Sequence, residues 1–164
     1  MPPDIANWVI TVESGVQGFL FLGAGVVLCL NGQNLETLDV SGDANAATLD
    51  GGLWMEGLPN LQSVNLGTCA NLQYISLQNC PNLSSISDLT GFQFSQWGGL
   101  GLNGCAFNAS AVDAIFNQLA VEIPPGSPPY QQVDLSGGTN AAPTDASASA
   151  RAALAAAGIL ITTN

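Results

Sequence analysis

The residues best able to do chemistry are four cysteines, Cys29, Cys69, Cys80 and Cys105, and twelve acids, set against a single base, Arg151. There is no lysine and no histidine. A serine or cysteine nucleophile needs an adjacent base, and the usual imidazole partner is missing, so Ser-His-Asp and Cys-His machinery is excluded. Zinc sites that use histidine are excluded for the same reason. None of the cysteines forms a CxxC pair, which removes the common zinc and thioredoxin-like signals. Asp39, Asp43, Asp50, Glu56 and Asp88 show neither the D-x-D-x-D-G spacing of a calcium loop nor a glycine-aspartate nonapeptide. They read as solvated surface acids. The expectation is a protein with no catalytic residues, no metal and no cofactor. Asn82-Leu83-Ser84 and Asn108-Ala109-Ser110 match a glycosylation sequon, but three-residue matches arise often by chance.

The charge balance narrows the partners. A net charge of −11 with one cation cannot build the Lys/Arg cluster that binds phosphates, so no nucleic-acid partner is expected. Anionic membrane surfaces are disfavoured likewise. Charged residues make up only 8 % of the chain and apolar ones 47 %; the apolar share supports a core and argues against disorder. The apolar run from Val16 to Leu30 is interrupted by Gly18, Gly23 and Gly25 and falls short of the ~20 residues of a spanning helix. It reads as buried strands, with no membrane span. Met1-Pro2-Pro3-Asp4 lacks a basic n-region, so no secretory signal is expected.

These residues are positioned by a repeat. Pro59-Asn60-Leu61, Ala70-Asn71-Leu72 and Pro81-Asn82-Leu83 recur every eleven residues. Leu61, Val64, Leu66 and Cys69 align with Leu72, Ile75, Leu77 and Cys80, giving the L-x-x-L-x-L-x-x-C/N pattern of a leucine-rich repeat. Wider-spaced copies are Leu35, Leu38, Val40 and Asp43; Trp97, Leu100, Leu102 and Cys105; and Tyr130, Val133 and Leu135 with Gly138 at the Cys/Asn position. Leu83 and Ile86 start a degenerate copy. In L-x-L the flanking side chains share one strand face and enter the core, while the middle residue points out. Asp39, Asn65, Ser76, Gly101 and Asp134 are therefore expected to face solvent. Cys69, Cys80 and Cys105 are expected to stack as buried thiols, with Cys29 in the core. Eleven residues is short for a coil of ~20–29. Either two units make one coil, each giving a strand to one of two opposed parallel sheets, or very compact coils build one sheet.

Two helices follow Cys105. The first takes Ser110 as N-cap, with Asp113 three residues on, and aligns Val112, Ile115, Phe116 and Leu119 on one face. A Pro-rich loop, 124–129, separates it from the next strand. The second starts near Thr144 or Ser147, ends at Gly158, and leads to a last strand, 159–162, so that helix and strand close the array. The fold class is thus α/β: a leucine-rich-repeat-like solenoid of short parallel strands, irregular turns and two helices near the C-terminus. Residues 1–30 form an apolar strand segment, cap or anchor, with candidate strands at Trp8–Val12 and Phe19–Leu22. Residues 31–164 form the solenoid and its cap. Trp8, Phe19, Phe21 and Trp54 are the candidate assembly contacts, because surplus apolar surface marks interfaces. Phe92, Phe94 and Trp97 fit either contacts or core.

The stretch Val133-Asp134-Leu135-Ser136-Gly137-Gly138-Thr139-Asn140-Ala141-Ala142-Pro143-Thr144 resembles a phrase of leucine-rich-repeat-like modules in bacteriophages and environmental bacteria. Those modules also carry an Ala-Val-x-x-Ile helix before it, here Ala111-Val112-Asp113-Ala114-Ile115. They end on Gly-x-x-Ile/Val-Thr-Thr-Asn, here Gly158 to Asn164. The resemblance spans about residues 35–164. It implies a structural protein of the phage particle, a head decoration or tail-associated accessory. The implied partners are other virion proteins or copies of itself, with a host-surface ligand as a further candidate. The alternative it implies is a bacterial surface or secreted module that recognises protein or glycan.

Overall fold

A computed structural model describes residues 18–22, 26–29, 35–39, 41, 50–67, 71–87, 89–92, 99–122 and 131–164. The strands are β1 (Gly18–Leu22), β2 (Val26–Cys29), β3 (Thr37–Asp39), β4 (Asp50–Met55), β5 (Ser63–Asn65), β6 (Asn71–Ser76), β7 (Ser85–Ile86) and β8 (Gly99–Gly101). Helix α1 (Ala109–Glu122), β9 (Gln132–Leu135), a short 3-10 helix (Asp145–Ser147), α2 (Ala148–Ala156) and β10 (Leu160–Thr163) follow. The molecule is α/β, with two open sheets and two helices.

Successive units feed the two sheets in turn. β3, β5 and β7 pair in parallel as one three-stranded sheet. β4, β6, β8, β9 and β10 run parallel within a seven-stranded sheet of order β10-β9-β8-β6-β4-β1-β2. Consecutive eleven-residue units therefore give their strands to different sheets. The L-x-L leucines explain why the alternation is stable. Leu61, Val64 and Leu66 from one unit, and Leu72, Ile75 and Leu77 from the next, are all at most 3 % exposed and belong to one core cluster. Each such side chain contributes about 1.5–3 kcal/mol by leaving water.

One repeat was hidden. Leu53-Trp54-Met55-x-x-Leu58 stands two units before Ile75-Ser76-Leu77-x-x-Cys80, and its first three residues end β4. A bulge between Gly51 and Gly52 shifts its start relative to Asn71-Leu72, which masks the alignment. Beyond β8 the chain no longer returns through the three-stranded sheet. It returns through α1 after β8 and through α2 after β9.

α1 begins one residue after Asn108, whose Oδ1 accepts from the Ala111 N–H at 2.9 Å. Asn108, not Ser110, is the N-cap. Asp113 is not a capping partner but a buried docking group. Val112, Ile115, Phe116 and Leu119 turn inward as the helical period requires. α2 ends as expected at Gly158, with φ +88°. The Ile159 N–H reaches Leu154 O at 3.1 Å and the Gly158 N–H reaches Ala155 O at 3.0 Å, a Schellman cap. Leu154 and Ile159, both buried, supply its apolar contact. β1 pairs antiparallel with β4 and with β2, at the sheet edge away from β10. Trp8–Val12 lies outside the described residues.

Candidate interaction face

The register of the seven-stranded sheet fixes which residues share its outer rows. One row runs Trp54, Ser76, Gly101, Asp134 and Thr162, with Phe19 the register partner of Trp54 on β1; a second runs Gly52, Tyr74 on β4 and β6, then Gly99, Gln132 and Leu160 on β8, β9 and β10. Of the contacts named from sequence, Phe19 and Trp54 are cross-strand partners, and Phe21 stands two residues along β1. Trp8 lies outside the described residues, as do Phe94 and Trp97. Trp54 is 41 % exposed on a strand whose neighbours Leu53 and Met55 are fully buried. Phe92 is core.

The middle residues of L-x-L do not all behave alike. Asp39 is exposed; its Oδ1 accepts from the Ser41 hydroxyl at 2.6 Å and the Ser41 N–H at 2.9 Å. Those two bonds hold its carboxyl below the ordinary carboxylate range, hydroxyl first. Asp134 repeats the geometry on Ser136, at 2.7 Å and 2.9 Å. Leu-Asp-Val-Ser-Gly and Val-Asp-Leu-Ser-Gly are thus the same device, an aspartate closing its own turn. Asn65 does so more weakly, accepting from Gly67 N–H at 3.2 Å, and its amide donates to Ser41 Oγ at 3.0 Å. Ser76 departs from the expectation: it is fully buried, not solvent-facing. Its hydroxyl donates to Glu56 Oε1 at 2.7 Å and accepts from Gln78 Nε2 at 3.0 Å, so longer polar side chains cover it.

Two of the three thiols expected to stack, Cys80 and Cys105, do so. Cys80 and Cys105 are free, fully buried thiols in successive turns. Cys105 Sγ donates to Leu77 O at 3.1 Å, and Cys80 Sγ lies 3.9 Å from Met55 O. Burial raises both, and pushes Cys105 up to about 12. The residue before Cys80 in this row is Leu58, because Cys69 belongs by sequence to the unit of β5, which feeds the other sheet. Cys69 lies outside the described residues, and of Cys29 the structure describes only its place on β2. After Cys105 the row passes to Asn140, not to Gly138. The Asn140 amide donates to Leu102 O at 2.9 Å and Leu135 O at 3.0 Å, and its Oδ1 accepts from Phe107 N–H. A side chain at Gly138 would come within 2.6 Å of Cys105 O, so the capping group moves two residues on. Asn164 then closes the same loop, accepting from Gly137 N–H and donating to Asn140 O, both at 2.6 Å.

The helix layer holds the only base. Asp113, 6 % exposed, accepts from Thr144 N–H at 2.9 Å, Thr144 Oγ1 at 2.5 Å and Ser147 Oγ at 2.6 Å. The Ser147 hydroxyl, then that of Thr144, lowers its pKa. Arg151 donates to Ser147 Oγ and to Thr144 O, the two residues that Asp113 of α1 also holds. Among the described residues no group of three acids or cysteines is placed to hold a metal ion, and no helix is long and apolar enough to cross a membrane. Comparison with known families, curated proteins and solved structures found no match to this chain.

Proposed function

We propose that the chain is a leucine-rich-repeat-like solenoid and a non-enzymatic interaction protein, built into a bacteriophage particle as a head decoration or tail-associated accessory. The observation that carries the attachment is the cross-strand placement of Phe19 beside Trp54, a tryptophan left 41 % exposed. Large aromatic side chains of this kind dominate contact energetics. The alternation of units between two sheets around one core supports the solenoid. The particle itself is drawn from the resemblance of residues 133–144 and 158–164 to phage modules. The partners are other virion proteins or further copies of the chain, with assembly following synthesis in the host cytoplasm. The N-terminal segment is the anchor in this reading.

A bacterial surface or secreted module is the second reading, favoured by a polar cleft on the outer sheet face that is described below. Proteomics of density-banded particles from the source culture separates the two. The first expects the chain in the particles at a fixed ratio to the major capsid or tail protein. Recovery in the cell envelope or the medium, with none in particles, sinks it. Because β1 pairs with β4, attachment is best probed by side-chain replacement, which leaves the β4 edge covered. Trp54→Ser should keep the fold and lose incorporation; full incorporation would remove Trp54 from the interface.

A further inference from the structure

The outer face of the seven-stranded sheet carries a cleft of about 210 Å³ above β8. Both outward positions of β8 are glycines, Gly99 and Gly101, so the strand forms a trough between taller neighbours. Tyr74 and Gln78 line one wall, and Gln132 and Asp134 the other. At Gly99 the omission is obligatory, since a Cβ would sit 2.5 Å from Gln132 O. At Gly101 a Cβ would come 3.0 Å from the end of the flexible Gln78 side chain, so that position is open to substitution.

We propose that this trough binds one ring of a neutral saccharide. The floor offers little to a peptide strand, because β8 is already paired on both sides, with β6 and β9. Recognition must come from the walls. Their groups are a phenol, two primary amides and a carboxylate, which together donate to and accept from vicinal hydroxyls. Gln132 Nε2 donates to Asp134 Oδ2 at 3.4 Å, a long bond that sets the amide and the carboxylate side by side, where both can engage neighbouring hydroxyls of one ring. The Tyr74 ring adds an apolar surface with a polar tip. Anionic sugars are excluded by charge: Asp134 stands in the wall, and Arg151, the chain's only base, is engaged by Ser147 and Thr144. The volume lies below the ~300–1,000 Å³ of pockets that enclose a drug-sized ligand, which fits one ring held with the rest of the glycan outside.

This inference is independent of attachment through Phe19 and Trp54, and holds for either location of the protein. It is tested on the full chain by saturation-transfer NMR with glucose, galactose, mannose, N-acetylglucosamine and their linear trisaccharides, and with the monosaccharides glucuronic acid and N-acetylneuraminic acid as anionic controls. At least one neutral sugar should receive saturation. Its titrated affinity should fall at least tenfold in Tyr74→Ala and in Gly101→Ser, with melting temperatures near that of the parent chain. Gln132→Ala, at an exposed wall position, provides the same readout if either of those variants fails to fold. Absence of transfer to every neutral sugar, equal transfer to the anionic monosaccharides, or affinity unchanged in the folded variants would each overturn the assignment.

Discussion

The two sheets use the same L-x-L unit and finish their outer faces differently. On the three-stranded sheet the middle residues, Asp39 and Asn65, stay at the surface and bind their own turns or each other's neighbours. On the seven-stranded sheet Ser76 is roofed by Glu56 and Gln78, while Gly101 beside it leaves a trough. Strand pattern sets which side chains point outward. Whether an outward side chain meets water depends on the length of its neighbours in the adjacent strands. A polar middle residue can therefore stay at the surface, as Asn65 does, or be covered, as Ser76 is.

The largest effects should be equal on the two sheets, because their inner faces share one core. Leu66→Asp and Leu77→Asp each forfeit about 1.5–3 kcal/mol of burial and strand an unpaired charge at about 3–5 kcal/mol more. That sum rivals the ~5–15 kcal/mol of a whole domain, so neither variant should give a cooperative thermal transition. A folded Leu77→Asp would mean the two inner faces are not equivalent.

The outer faces should separate at the next level. Ser76→Asp sets a carboxylate against Glu56 in a covered position and should lose about 2–4 kcal/mol. Asn65→Asp keeps the acceptor for Gly67 N–H and should stay within about 1 kcal/mol of the parent. Urea titrations of both decide it, and equal losses would erase the distinction between the faces.

A smaller effect belongs to the helix layer that replaces the three-stranded sheet after β8. Asp113 has a folded pKa below its unfolded value of ~3.9. Its contribution to stability is therefore complete above about pH 4 and is lost as the pH falls through the lower folded value. The parent chain should lose stability in that acid range, and Asp113→Asn should be less stable at pH 7 with a flatter acid limb. An unchanged acid limb in Asp113→Asn would assign the acid sensitivity elsewhere.

The least change in stability attends the thiols. Cys80 and Cys105 should resist thiol reagents at pH 8 in the native chain, since burial raises both and the thiolate is the reactive form. Denaturation without reductant should release both, together with Cys29 and Cys69, as four free groups. Rapid labelling of the native chain would show that the row from Leu58 to Asn140 opens.

Much of this arrangement was legible in the amino-acid order. The eleven-residue period, the inward leucines, the apolar face of α1 and the glycine stop of α2 are all local. Each follows from side-chain periodicity or from a single backbone requirement, such as φ +88° at Gly158. The β4 repeat escaped because a bulge displaced its marker residues, and the Ser110 cap failed because Asn108 competes for the same donors.

What the sequence alone determined is therefore the eleven-residue period and which leucines it buries, since both depend on neighbours a few residues away. Only the tertiary structure decided that alternate units join different sheets, that Asn140 succeeds the cysteines, that Ser76 is covered, and that Phe19 pairs with Trp54 across strands. Those outcomes depend on groups twenty or more residues apart in the chain, as from Ser76 to Glu56 and from Asn140 to Leu102. Their contacts are set by strand register and by the room left between strands, quantities that no local pattern encodes.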